Sequence, residues 1–339
     1  MSRAFHATLP LSRAAVDRDH ASRGVPERQR DLWRHEHARV LVLHRGLALG
    51  RPAGEEDARP SLRLVAPDAL EGLVGITGPD SPPATDAATH TNGPVVLYLG
   101  TTLESSAETV AGAPVFAVSL DDEGADALTA VDGGAWLDLR RIAVLLDDLA
   151  AGVFTEALAM ANWHSNHEFC PRCGSPTTIE SAGWVRRCVA EDVELFPRTD
   201  SAVIVGITDA EDRILLGSNA LWEHNRYSLL AGFVEPGESF EAAAVREVAE
   251  ESGVVIRNPE YVGSQPWPFP ASLMVGFLAR ADDGAVLRPD GDEILELRWF
   301  SRAEVADPAV DVLLPGPSSI ARAIIERWYG GPLPEHHTA

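Results

Sequence analysis

The chain has 339 residues, longer than one hydrophobic core usually grows, which predicts two or three domains. Its 45% hydrophobic and 23% charged content excludes wholesale disorder. Asp and Glu number 51 against 28 Lys and Arg, and the net charge of -23 disfavours generic binding to nucleic-acid backbones or anionic lipid surfaces.

A small anionic substrate therefore needs a local cation to hold it, and that cation could be a metal. No apolar run reaches about 18 residues, so no membrane span is expected. The first residues scatter charge through MSRAFHATLPLSRAAVDRDHASRG and show no signal-peptide pattern. Three cysteines make no disulfide framework, and the expectation is a reducing, cytoplasmic compartment.

In chain order, Arg39–His44, Pro94–Leu99 and Ala113–Val118 read as β-like runs, separated by turn-rich breaks at 50–60, 78–94 and 121–134. From about Asp138 to Asn166 the spacing turns helical, with Leu145, Leu149, Val153 and Leu158 recurring. The segment from His167 to Asp192 holds all three cysteines. After Pro197, Ala202–Ile207 and Arg213–Gly217 predict a buried hairpin and Tyr227–Ala231 a further strand. A helix over about Phe240–Ser252, strands near Leu273–Leu278 and Leu295–Phe300, and a last helix over about Ser318–Trp328 complete the order. The organisation expected is an α+β chain: an N-terminal α+β domain (1–165), a small knuckle (166–195), a C-terminal α/β domain (196–330) and a tail (331–339).

Cys170-x2-Cys173-x14-Cys188 has nearly the spacing of a four-cysteine zinc ribbon, but Glu191 stands where a fourth Cys is needed. Zinc could accept an oxygen from Glu191 or Asp192 or a nitrogen from His167; alternatively the knuckle is held by packing around Trp184 and Val185 with free thiols. The histidines, among them His164, His167, His336 and His337, form no paired spacing and are read as mostly solvated. Tryptophans such as Trp163, Trp184, Trp222 and Trp328 are read as core or interface.

The segment Gly232 to Gly253 carries the chemistry. Gly232, Pro236 and Gly237 make a tight loop, Glu238 and Glu241 lie near a helix N-terminus, and Gly253 stops the helix. At helical spacing Ala242, Val245, Val248 and Ala249 share one face, with Glu247, Glu250 and Glu251 opposite. Like charges so placed repel. An oxygen cluster suits hard divalent cations, whereas the plain alternative is an acidic solvated face. The full register, a glycine, Glu238 six residues on, Arg246-Glu247, Glu250-Glu251 and Gly253, resembles the Nudix box Gx5Ex7REUxEExGU (U apolar).

That resemblance implies a Nudix α/β/α sandwich at the C-terminus and hydrolysis of a nucleoside diphosphate linked to another moiety. It implies Mg2+ or Mn2+ bound by Glu247 and Glu251, with Glu250 sharing the metal or serving as base. Twelve residues past Gly253, Gln265-Pro266-Trp267-Pro268-Phe269-Pro270-Ala271-Ser272 presents Trp267 and Phe269 on a stiff backbone. It resembles the array of the NADH pyrophosphatase (NAD-capped RNA hydrolase) branch, with Gln265 and Ser272 as hydrogen-bond partners.

By the same resemblance Phe233 stacks on a base, Glu293 is a later metal ligand beside Asp292 and Glu296, and Phe196, Arg141 and Ala321 contact substrate. A zinc ribbon between two large domains and a homodimer are implied too. The expected activity is cleavage of NADH or NAD+ to AMP and a nicotinamide mononucleotide. The alternatives are removal of an NAD cap from RNA 5′ ends and a catalytically silent nucleotide-binding module.

Overall fold

A computed structural model describes residues 5–13, 15–54, 59–76, 78 and 94–334. His336 and His337, and the expected break over 79–93, lie outside the described residues. The chain divides into two units, one of residues 13–198 with 268–271, the other of residues 1–12, 199–267 and 272–339.

In the first unit helix α1 (Pro26–Trp33) precedes strands β1 (Arg39–His44) and β2 (Leu47–Arg51), and helix α2 (Pro67–Val74) follows. Both helices open on proline, whose missing N–H is no loss in a first turn. Strands β3 (Val96–Thr102) and β4 (Pro114–Ser119) pair antiparallel with each other, and β4 runs parallel to β1. Val40 to Leu43 are buried at every position, so the run is continuously apolar rather than alternating.

The expected break at 121–134 is instead helix α3 (Asp122–Asp132). Asp121 Oδ1 accepts the Gly124 N–H at 2.9 Å, and Gly133 ends the helix at φ 69. Its acidic first turn suits the helix dipole but masks the apolar periodicity. Helix α4 (Asp148–Asn166) is capped by Asp147, and its buried side includes Leu149, Val153 and Leu158. Leu145 departs from that expected series: it ends a short 3-10 turn, Ala143–Leu145, and is exposed.

The cysteine segment folds as a three-stranded antiparallel sheet, β5 (Thr177–Glu180), β6 (Val185–Cys188) and β7 (Glu194–Leu195), with β6 central. His164 is buried here, not solvated. Burial holds it neutral, lowering its pKa to about 4. Its Nδ1 therefore accepts from Arg186 Nη1 at 2.9 Å while Nε2–H donates to Gly183 O at 2.7 Å.

The second unit is a mixed sheet with a helix on each face. Strands β8 (Asp200–Thr208), β9 (Ile214–Asn219), β10 (Leu230–Phe233), β11 (Ile256–Trp267), β12 (Ser272–Ala281) and β13 (Ile294–Phe300) form it. The order is β11-β12-β8-β9-β13, with β10 also on β8, and the β8–β12 pair is parallel. Val203, Val205 and Ile207 pack with helix α5 (Phe240–Ser252), while Ile204 faces helix α6 (Ile320–Tyr329). Alternate residues of one strand thus feed two cores, which explains why Ala202–Ile207 is apolar throughout. This is the expected α/β/α sandwich. Among the described residues no helix is long and apolar enough to cross a membrane.

Candidate active site

Helix α5 begins at Ser239, whose Oγ accepts the Ala242 N–H at 3.2 Å, and ends at Gly253 in the left-handed conformation at φ 69. Its buried residues are Ala243, Ala244, Val248, Glu251 and Ser252. The apolar face expected from Ala242, Val245, Val248 and Ala249 is therefore rotated: Ala242 and Ala249 are exposed. The physical reason lies in the i, i+4 rows. Ala243, Glu247 and Glu251 form one row beside Ala244, Val248 and Ser252, so two carboxylates border the core and Glu250 falls outside it.

The loop before the helix is shaped around these carboxylates. A Cβ at Gly232 would stand 2.0 Å from the Glu247 carboxyl carbon, so any larger residue there displaces that carboxylate. Gly237, at φ 92, makes the turn itself. Arg246 ties the loop to the helix: its Nε and Nη2 donate to the Glu238 carboxylate at 2.9 Å each, and Nη2 donates to Phe233 O at 2.9 Å. Nη1 reaches Glu247 Oε1 at 2.8 Å and Glu250 Oε2 at 2.9 Å. Glu250 itself is 61% exposed.

A cleft of about 230 Å3 opens within this unit, and Glu251, Glu293, Trp222, Trp267, Met274 and Ala321 help to line it. Glu251 is 5% exposed, and its Oε2 has no hydrogen-bond partner among the described residues. Burial, with repulsion from Glu293, Glu247 and Asp290, pushes its carboxyl up to about 8, against a pull from the Ala231 N–H. Burial also raises Glu247, against the pull of Arg246. Glu247 is thus paired with Arg246, whereas the cleft wall around Glu251 and Glu293 contains no Arg or Lys among the described residues.

The donor set is all oxygen and one buried oxygen is orphaned, so the residues fit a hard divalent ion. The set is open rather than tight. Among the described residues, the cysteine trio is the one group of three or more potential ligands whose donor atoms all lie within 4.8 Å of one another.

Glu293 is presented by a loop whose organising residue, Asp290, has no signal in the sequence motifs. Asp290 Oδ1 accepts the N–H groups of Asp292, Glu293 and Ile294 at 3.1, 3.1 and 2.8 Å. Of its expected rivals, Glu296 accepts from the Tyr227 hydroxyl, and neither it nor Asp292 lines the cleft. Trp222, set aside as core or interface, lines the cleft, as does Asn219. Their place depends on pairing between distant strands, which no local signal announces.

The proline-rich array is divided between the units. Gln265, Pro266 and Trp267 end β11 and Ser272 opens β12, paired with Trp267. Gln265 is fully buried: Oε1 accepts from the Leu11 N–H at 3.4 Å and Nε2 donates to Ser318 O at 3.1 Å. Pro268 to Ala271 belong to the first unit, where Asn162 Nδ2 donates to Pro268 O and Pro270 O at 2.9 and 3.1 Å. Phe269 there lies under the Arg140 guanidinium, 4.1 Å from the ring centre. Phe196 and Arg141 also belong to the first unit and are exposed, whereas Phe233 is exposed at the end of β10 in the second.

Three family profiles match in succession: an NADH pyrophosphatase-like rudimentary NUDIX domain over residues 37–163, the NADH pyrophosphatase zinc ribbon domain over 165–194 and the NUDIX domain over 197–317. The chain is 46% identical over 202 residues to the NAD-capped RNA hydrolase NudC of Mycobacterium bovis, covering 57% of this chain and 64% of that protein. The Mycobacterium tuberculosis counterpart is 45% identical over the same shares. The human NAD-capped RNA hydrolase NUDT12 is 38% identical over 197 residues, 54% of this chain and 42% of that protein. The chain thus spans less than two thirds of the length of the curated relatives it matches. With the box, the sandwich and the three matches in register, the chain belongs to the Nudix superfamily, in its NADH pyrophosphatase branch.

Proposed function

We propose that this chain hydrolyses the pyrophosphate link of NADH or NAD+ to AMP and a nicotinamide mononucleotide, using Mg2+ or Mn2+. One observation carries the reading: Glu251 and Glu293 face a cleft that also holds Trp267, and Glu251 has an oxygen that no described group satisfies. A bound divalent ion neutralises pyrophosphate oxygens and lowers the pKa of coordinated water.

The chain's own residues do the rest. Glu247 and Glu251 hold the ion from α5, and Glu293, fixed by Asp290, holds it from the loop before β13. Glu250, anchored by Arg246, stands at the outer rim, where it shares the ion or takes the proton of the attacking water. Trp267 and Phe233 offer flat faces to a base, and Ser272 and Pro266 border that wall. Ala321, in the first turn of α6, puts a helix N-terminus toward a phosphate. Gln265 acts by fixing the end of β11 that carries Trp267, since both ends of its amide are already hydrogen-bonded.

A second reading keeps this chemistry and takes the NAD cap of an RNA 5′ end, as the relatives named NAD-capped RNA hydrolases suggest. The net charge of -23 opposes a groove for the RNA body, so only the capped end enters. A homodimer, zinc in the knuckle and a cytoplasmic setting complete the proposal; the three unbridged thiols favour a reducing compartment.

The test is product analysis with NADH, NAD+, ADP-ribose and capped RNA, each with and without Mg2+ or Mn2+. With metal only, NADH and NAD+ give AMP and a nicotinamide mononucleotide, capped RNA gives nicotinamide mononucleotide and a 5′-monophosphate RNA, and competition between NADH and capped RNA ranks the two substrates. Cleavage of none of them would replace this reading with a silent binding module.

A further inference from the structure

The two turns that gather the cysteines are built alike. In the first, the Cys170 N–H donates to Ser175 O at 2.8 Å, the Gly174 N–H donates to Cys170 O at 2.9 Å, and Gly174 has φ 74. In the second, the Cys188 N–H donates to Val193 O at 3.0 Å, the Asp192 N–H donates to Cys188 O at 3.0 Å, and Asp192 has φ 55. Position for position, Glu191 stands in the second turn where Cys173 stands in the first. A non-glycine residue is held in the left-handed region at Asp192, so the turn keeps its shape although the fourth cysteine is gone.

The surroundings separate the candidate ligands. His167 Nδ1 is 2.9 Å from Trp163 O, and His167 has no ring nitrogen within 4.8 Å of all three sulfurs. The Asp192 carboxylate lies 3.3 Å from Arg187 Nη1. The Glu191 N–H donates to Cys188 Sγ at 3.4 Å, which places its backbone against the sulfur cluster, and Cys173 Sγ is 3.4 Å from Cys188 Sγ. The Glu191 carboxylate lies 3.5 Å from Arg172 Nε, and Arg172 sits inside the Cys170–Cys173 turn itself. The carboxylate is not within 4.8 Å of all three sulfurs as it stands, so ligation requires its side chain to leave the guanidinium.

We propose that Glu191 is the fourth ligand of a three-thiolate, one-carboxylate zinc site, and that Arg172 competes with the ion for it. Zinc accepts carboxylate oxygen as well as thiolate. The exchange keeps the formal charge of a four-thiolate site but replaces a soft donor with a harder one, so the ion is held less tightly. This inference does not depend on the hydrolase reading, because it is tested by metal affinity and spectra rather than turnover.

The experiment uses the full chain, with zinc measured against a chromophoric chelator and Co2+ as optical probe. The wild type takes one equivalent, with sulfur-to-cobalt charge transfer and the d–d bands of a tetrahedral site. Glu191→Gln and Glu191→Ala weaken zinc by about tenfold or more. Glu191→Cys tightens it and shifts the d–d bands to lower energy, and Arg172→Ala tightens it by roughly two- to threefold. A folding defect cannot produce the last two gains. Unchanged zinc affinity and Co2+ spectrum in Glu191→Ala, or no uptake by the wild type, overturns the ligand assignment. An Arg172→Ala protein no tighter than wild type overturns the competition.

Discussion

The carboxylate cleft and the cysteine knuckle are both suited to a cation, and they are built on opposed principles. In the cleft the carboxylates are hard oxygen donors on separate elements, Glu251 on α5 and Glu293 on the loop before β13, and their charges repel. In the knuckle three soft sulfurs are gathered by two tight turns to within 4.8 Å of one another. The first arrangement leaves room for water and a phosphate beside the ion; the second leaves little more than the ion's own coordination sphere. Donor hardness and spacing thus suit the two places to different cations, a hard divalent ion in the cleft and a softer one in the knuckle.

The strongest break in that contrast is Glu251→Gln, which removes a cleft donor and leaves an uncharged group of the same shape. Turnover of NADH falls on the order of 10³-fold while zinc content and melting temperature stay at wild-type values. Gly232→Ala comes next, because its methyl displaces the Glu247 carboxylate. A loss of about 10²-fold in kcat with the fold intact by circular dichroism is expected. Asp290→Ala frees the loop that presents Glu293 and lowers activity by about tenfold, with a raised Mn2+ requirement that excess metal partly restores.

Cys170→Ser sharpens the contrast from the other side. It abolishes zinc retention and lowers the melting temperature by roughly 5 °C, while Mn2+ affinity at the cleft is unchanged.

The smallest effect concerns Glu156 on α4, a buried carboxylate outside both sites. Burial raises it to about 7, against pulls from Arg18, 3.6 Å away, and Arg23. The native state therefore binds this proton more tightly than the unfolded chain does. Its contribution is complete below the usual value of 4.5 and is lost as pH rises toward 7. Denaturant titrations should show Glu156→Gln gaining on wild type by on the order of 1–3 kcal/mol between pH 5 and 8.

What the sequence showed plainly was local. The bounds of α5 follow from Ser239 and Gly253, and the doubly buried β8 follows from its unbroken apolar run. What it hid was set by distance or by rotation. Glu251 reads as opposite the apolar face because a helical wheel does not say which row meets the sheet. Glu247 and Glu251 lie at the border of the core, which is what desolvates them. Helix α3 reads as a break because its acidic first turn and terminal glycine, Gly133, resemble loop chemistry. The proline-rich array reads as one wall, yet Trp267 and Phe269 belong to different units. Trp222 and Asp290 carry no motif and gain their place from strand pairing and loop closure.

Mn2+ titration followed by electron paramagnetic resonance, on wild type and Glu251→Gln with zinc already loaded, tests the central claim most directly. The wild type should immobilise Mn2+ and the variant should bind it at least tenfold more weakly, with knuckle zinc equal in both. Equal Mn2+ affinity in the two proteins would contradict the assignment of α5 as the element that holds the reacting ion.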